Sequence, residues 1–122
     1  MASALVIDDN RHTADSLCQM LDFLGIAAQP AYGPRGAMLA LNQSIPDIIF
    51  LDINMPGVDG FEVMAYLRRF PQLNEVPVVF VTSDDQPETK EKARSTGALL
   101  LLLKPPTLSM IEQVLRKLGL VK

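Results

Sequence analysis

Apolar and polar positions follow two different rhythms along the 122 residues. Ala4–Ile7, Ile48–Leu51, Val78–Val81 and Leu99–Leu103 are unbroken apolar runs of strand length, the pattern of strands covered on both faces. Between them, apolar residues recur every three or four positions, as in a helix that covers a sheet. Arg11–Leu24 places Ala14, Leu17, Cys18, Leu21 and Leu24 on one face and meets Gly25 as a stop signal. Gly36–Gln43, Gly60–Phe70 and Thr107–Leu118 read the same way, the last with Leu108, Ile111, Leu115 and Leu118 inward and Gly119 beyond its end. A further short strand is expected at Ala27–Ala31. Pro30 has no N–H to give a ladder, which puts this strand at the sheet edge. The order is therefore strand then helix, five times, and predicts an α/β fold with a parallel sheet sandwiched by helices. Glu88–Thr96 is the exception among the helices, because it offers only Ala93 to a core. Such a helix belongs at the low-stability end of a structure.

Length and composition narrow the picture. A chain of 122 residues fits one domain, residues 1–122, with a core of its own. The net charge of −3, from 11 basic and 14 acidic residues, argues against a surface built for a phosphate backbone, so no direct nucleic-acid partner is expected. Cys18 is the only cysteine and has no intramolecular partner for a disulfide. The start has neither a basic segment nor a long apolar stretch, and the Leu99–Leu103 run is far short of the about 20 residues that cross a bilayer. A cytoplasmic protein with no membrane partner is the expectation.

The candidate chemistry lies where strands end. Asp8 and Asp9 follow the first run, Asp52 the third, Thr82 the fourth and Lys104 the last. In a parallel sheet these ends share one edge, where such folds bind ligands. Three carboxylates, a hydroxyl and an ammonium in one cleft suit a divalent cation and a phosphoryl group. Asp8 and Asp9 repel each other unless a cation sits with them. Taken alone, the pair reads more often as a helix cap, since Asp9 or Asn10 can cap the first helix. Asp52 opens Asp-Ile-Asn-Met-Pro-Gly-Val-Asp-Gly, in which Pro56, Gly57 and Gly60 force a tight loop and the Asn54 carbonyl can turn toward the same point. Magnesium takes such oxygen sets and keeps several waters, leaving room for phosphate oxygens. The competing reading is an ordinary turn, and the segment by itself weighs evenly between the two. Lys104 precedes Pro105 and Pro106, which turn the chain away from the strand. No glycine-rich phosphate loop and no dinucleotide turn follows the first strand. His12, the only histidine, reads as an exposed first-turn residue, with neither the partners of a zinc site nor those of a catalytic triad.

Asp8-Asp9, Asp52 in Asp-x-x-Met-Pro-x-x-Asp-Gly, Thr82-Ser83, and Gly97-Ala98 leading to Lys104-Pro105 occur in this order and spacing, and over essentially its whole length the chain resembles the receiver domain of two-component response regulators. The resemblance implies a doubly wound, flavodoxin-like (βα)5 domain with sheet order 2-1-3-4-5. It implies Asp52 as the acceptor of a phosphoryl group from a phosphohistidine of a sensor histidine kinase or histidine phosphotransfer protein. It implies Mg2+ held by Asp9, Asp52 and the Asn54 carbonyl, with Asp8 acting mainly through water, and Lys104 and Thr82 contacting the phosphoryl oxygens. Such a domain assists its own phosphorylation and dephosphorylation without being an enzyme acting on another substrate.

Four positions depart from the family pattern. Leu101 stands where an aromatic switch residue is usual, after Leu99 and Leu100 in place of acidic or polar residues, and Pro106 stands where Phe is common. Besides the phosphorylation switch, two readings therefore stay open. One is an interaction scaffold whose leucine-rich face binds a partner without phosphorylation. The other, a small aspartate-nucleophile phosphatase, is weakened by Asn54 standing where a second acid is needed. The 88–118 segment is expected to form one output face, with Leu99, Leu101 and Leu103 on one side of the strand and Leu100 and Leu102 on the other. A homodimer or a protein partner is expected to dock there.

Overall fold

The computed structural model describes all 122 residues, Met1–Lys122. Its elements alternate throughout: β1 (Ser3–Ile7), α1 (Arg11–Phe23), β2 (Ala27–Ala31), α2 (Pro34–Gln43), β3 (Ile48–Asp52), α3 (Gly60–Leu67), β4 (Val78–Thr82), α4 (Pro87–Ser95), β5 (Leu100–Leu103) and α5 (Leu108–Lys117). The five strands form one parallel sheet in the order β2-β1-β3-β4-β5. This is the doubly wound, flavodoxin-like arrangement expected from the sequence. β2 lies at the edge, with Pro30 opposite Val6.

Every residue of β3 and β4 is buried, as central strands of a sheet covered on both faces must be. Their side chains alternate between two cores. Ile49, Leu51, Val78 and Phe80 pack with α2, α3 and Ala93 of α4. Ile48, Phe50, Val79 and Val81 pack with Ala14, Leu17, Cys18 and Leu21 of α1 and Ile111, Val114 and Leu115 of α5. Truncating Phe50 or Phe80 to alanine would cost about 3–5 kcal/mol in such a core. Asn10, Asp59 and Thr107 cap α1, α3 and α5, each accepting a backbone N–H at 2.9–3.1 Å. No helix is long and apolar enough to cross a membrane.

Several sequence expectations shift. α2 begins at Pro34 rather than Gly36, because proline suits a first helical turn whose N–H groups have no partner. α3 ends at Leu67 rather than Phe70, and the Arg68 guanidinium then donates to the carbonyls of Leu73 and Val76. Leu108, placed inward by helical spacing, is exposed at the start of α5, and Val114 is buried instead. Leu99 does not share a side with Leu101. It precedes β5, where strand alternation does not apply, and packs toward α1 and α5, whereas Leu101 packs with Phe80.

Candidate functional site

The C-terminal ends of β1, β3, β4 and β5 bring the expected residues to one edge. Asp8 follows β1, and although its carboxylate is almost fully buried it is not idle. Its Oδ1 accepts the Asn10 backbone N–H at 2.9 Å and its Oδ2 receives the Lys104 Nζ at 2.9 Å. Asn10 then takes the capping role, its side chain accepting the Thr13 N–H at 3.0 Å. The cap reading of the acidic pair therefore falls on Asn10, and Asp9 is exposed at the mouth of the cleft. Asp52 ends β3, a strand buried along its whole length, and its Oδ1 lies 3.3 Å from the same Lys104 Nζ. Carboxylate oxygens of Asp8, Asp9 and Asp52 all come within 4.8 Å of one another.

The loop after Asp52 is shaped by a close approach. Gly60 donates its N–H to the Ile53 carbonyl at 2.7 Å, and a Cβ there would run into the Asp52 carbonyl oxygen and sit 2.8 Å from the Ile53 Cα. Only glycine lets α3 start against the backbone of the acid it positions. Gly57, at φ +82°, supplies the turn. Across the cleft, buried Thr82 accepts at its Oγ1 from the Asp84 N–H at 3.1 Å and from the Asn54 side-chain amide at 3.4 Å. Lys104 is fixed by its own backbone, whose N–H donates to the Thr82 carbonyl at 2.8 Å, and the Lys104–Pro105 peptide is cis.

The charges are unbalanced. One ammonium touches two of three clustered carboxylates, leaving net negative charge around Asp8 and Asp52, which are themselves buried, while Asp9 meets solvent. Burial raises the Asp52 carboxyl to about 6, with Asp8 adding to the rise while Lys104 and the Asn54 backbone oppose it. For Lys104, burial disfavours the charged amine, but its contacts with Asp8 and Asp52 prevail and its pKa lies above the ordinary value. A hard divalent cation fits this donor set, since oxygen-only ligands with excess negative charge are what such ions take.

Two features of the site have little signature in the sequence. Asp84 accepts the Thr89 hydroxyl at 2.7 Å and the Gln86 N–H at 3.0 Å, tying the start of α4 to the Thr82 loop, and these bonds hold its carboxyl below the usual range. Phe61 packs on Phe80 and receives Lys92 on its ring, a grouping that no spacing rule predicts. A cavity of about 500 Å³, bordered by Leu41, Ile45, Tyr66 and Phe70, lies away from the acidic cluster, near the N-terminal ends of the strands.

Residues 4–116 match the family described as the response regulator receiver domain. PilH of Pseudomonas aeruginosa is 31% identical over 105 residues, a match that covers 86% of this chain and 87% of PilH. The DNA-binding dual master transcriptional regulator RpaA of Synechocystis is 37% identical over 106 residues, and the match covers 86% of this chain but 44% of RpaA. For the sensor protein EvgS of Escherichia coli the matched share is 10%, so the chain corresponds to a segment of these longer proteins. Among solved structures, chemotaxis protein CheY4 of Vibrio cholerae superposes with a TM-score of 0.89 at 27% identity, over 97% of this chain and 98% of that one. The sequence pattern, the 2-1-3-4-5 sheet and these matches agree, and the chain belongs to the response regulator receiver domain family.

Proposed function

We propose that residues 1–122 form one phosphoacceptor switch of a two-component relay, with Asp52 as the acceptor. The observation that carries this reading is that Asp52, a buried carboxylate at the end of β3, shares the Lys104 ammonium with Asp8 at 3.3 and 2.9 Å. Asp52 attacks the phosphorus of a phosphohistidine on a sensor histidine kinase or histidine phosphotransfer protein. The P–N bond breaks, its electron pair stays on the imidazole, and an aspartyl phosphate forms. Lys104 neutralises charge on the transferring oxygens. Thr82 accepts two hydrogen bonds and keeps its own hydroxyl proton to donate to the phosphoryl group. Asp9, Asp52 and the Asn54 carbonyl would hold Mg2+, with Asp8 oriented toward Lys104 instead. When bound, the ion supplies charge neutralisation for the phosphoryl oxygens, and phosphoryl transfer depends on such positioning more than on covalent help.

Incubation with acetyl phosphate and Mg2+ is expected to add one phosphate to the intact mass. Asp52→Asn should abolish the gain, and Asp9→Ala should raise the Mg2+ concentration required by about tenfold or more, the usual effect of deleting a metal-site residue. A gain that persists in Asp52→Asn would show another nucleophile.

The scaffold reading keeps one supporting observation. Ala93, Ala98, Leu99, Leu100 and Leu101 line a groove of about 380 Å³ flanked by Lys90 and Arg94 on the α4–β5 face. A protein partner or second copy docking there is compatible with either reading. Docking that is unchanged in Asp52→Asn would favour the scaffold.

A further inference from the structure

Little apolar surface holds α4 to the rest of the chain. Of its nine residues only Ala93 is buried, and its sequence is otherwise polar or charged. Its N-terminal turn is tied by the Thr89 hydroxyl to Asp84. Near its other end, the Lys92 Nζ lies 4.6 Å from the centroid of the Phe61 ring, a cation held on an aromatic face of α3. The same ring is 5.2 Å from that of Phe80, with the planes inclined at 57°. Phe80 is fully buried between Leu51 of β3 and Leu101 of β5 and stands two residues before Thr82. Phe61 also follows Gly60 directly, and Gly60 is pressed on the Asp52 carbonyl with no room for a Cβ. One side chain thus links the backbone of the central acid to the loosely held helix. A packed ring has few alternative positions, so a displacement at its base is passed on and not absorbed.

We propose that Phe61, held between Phe80 and Lys92, is a positioning residue that couples the state of Asp52 to α4. The proposal rests on the reading of Asp52 as the phosphoacceptor. A shift of the Asp52–Gly60 segment on phosphorylation moves the ring, and the ring moves Lys92 and the helix that carries it. Asp84 provides the second tether at the opposite end of the helix, so the ring contact sets the tilt of α4 about that point.

The test is amide hydrogen exchange of residues 87–96, with and without acetyl phosphate and Mg2+, alongside intact mass on the same samples. The wild-type chain should gain one phosphate, and exchange in α4 should change by about fivefold or more, the lower end of coupling between linked sites. Phe61→Leu and Lys92→Met should take up phosphate to the same extent yet show less than about half of that change. Phe61→Tyr and Lys92→Arg, which keep the ring and the cation, should restore it. Lys92 is exposed, so its variants report even if Phe61→Leu lowers stability. A full exchange change in phosphorylated Lys92→Met, or none in the phosphorylated wild type, would overturn the coupling alone. No phosphate on the wild type would overturn the reading of Asp52, and the coupling with it.

Discussion

Asp52 is held in a state that opposes folding. Its carboxyl rises from an ordinary 3.8 to about 6 because burial, and then Asp8, disfavour its charge. Below about 3.8 the group is protonated in both the folded and unfolded chains. Between 3.8 and about 6 folding takes up a proton, so stability falls as pH rises through this window, and above it the whole penalty is present. A change of this size corresponds to at most about 3 kcal/mol, and the water that reaches the cleft mouth reduces it to about 1–2 kcal/mol. In chelator at pH 7.5, Asp52→Asn should therefore melt above the wild type, and the gap should close as pH is lowered to 4.5. Mg2+ should also narrow it, by stabilising the wild type alone. Thermal melts across pH check this, and an Asp52→Asn protein that is less stable at every pH would contradict it. Lys104 has the opposite character, since its two carboxylate contacts favour its charged form over the cost of burial.

At the scale of elements, the loop between β3 and α3 converts glycine chemistry into site geometry. Gly60→Ala places a methyl against the Asp52 carbonyl and the Ile53 Cα, and both are backbone atoms that cannot rotate aside. The expected cost is about 1–3 kcal/mol, as for overpacking elsewhere. The phosphorylation rate should fall more than the melting point implies, because the shifted atoms belong to Asp52, the residue proposed as acceptor. Stopped-flow phosphorylation beside a thermal melt separates the two effects. A Gly60→Ala variant with wild-type rate and stability would mean that α3 can move away freely. Much at this scale was legible. Asn10, Asp59 and Thr107 are cap residues in cap positions, and the apolar runs became strands within a residue or so. What spacing misjudged were ends, where a leucine just before a strand or in the first turn of a helix escapes the periodicity, as at Leu99 and Leu108.

Across the whole molecule, a chain of net charge −3 carries exposed Lys90 and Arg94 on α4 beside the leucine-lined groove. An apolar strip flanked by cations suits an acidic, apolar protein surface. Leu101→Glu should weaken partner or self-association while leaving Asp52 phosphorylation nearly intact, because Leu101 lies on β5 and contributes no group to the acidic cluster. Sedimentation of the phosphorylated and unphosphorylated chain reads the outcome. A monomer in both states, with Leu101→Glu altering no partner binding, would mark the face as ordinary surface.

Local chemistry written in the sequence settled most of this protein. Apolar runs of four or five residues separated by helical spacing leave a parallel sheet as the economical way to bury them, and residues that follow those runs must meet at one edge. That reasoning placed Asp8, Asp9, Asp52, Thr82 and Lys104 together, and the fold brings them to the same edge. Tertiary structure decided how they divide the work. Asp8 is buried against Lys104 while its neighbour Asp9 faces solvent, a difference that depends on the turn between β1 and α1 and on a strand nearly a hundred residues away. It also decided that Phe61 meets Phe80 and Lys92, because contacts among three separate elements depend on packing angles that no local pattern encodes.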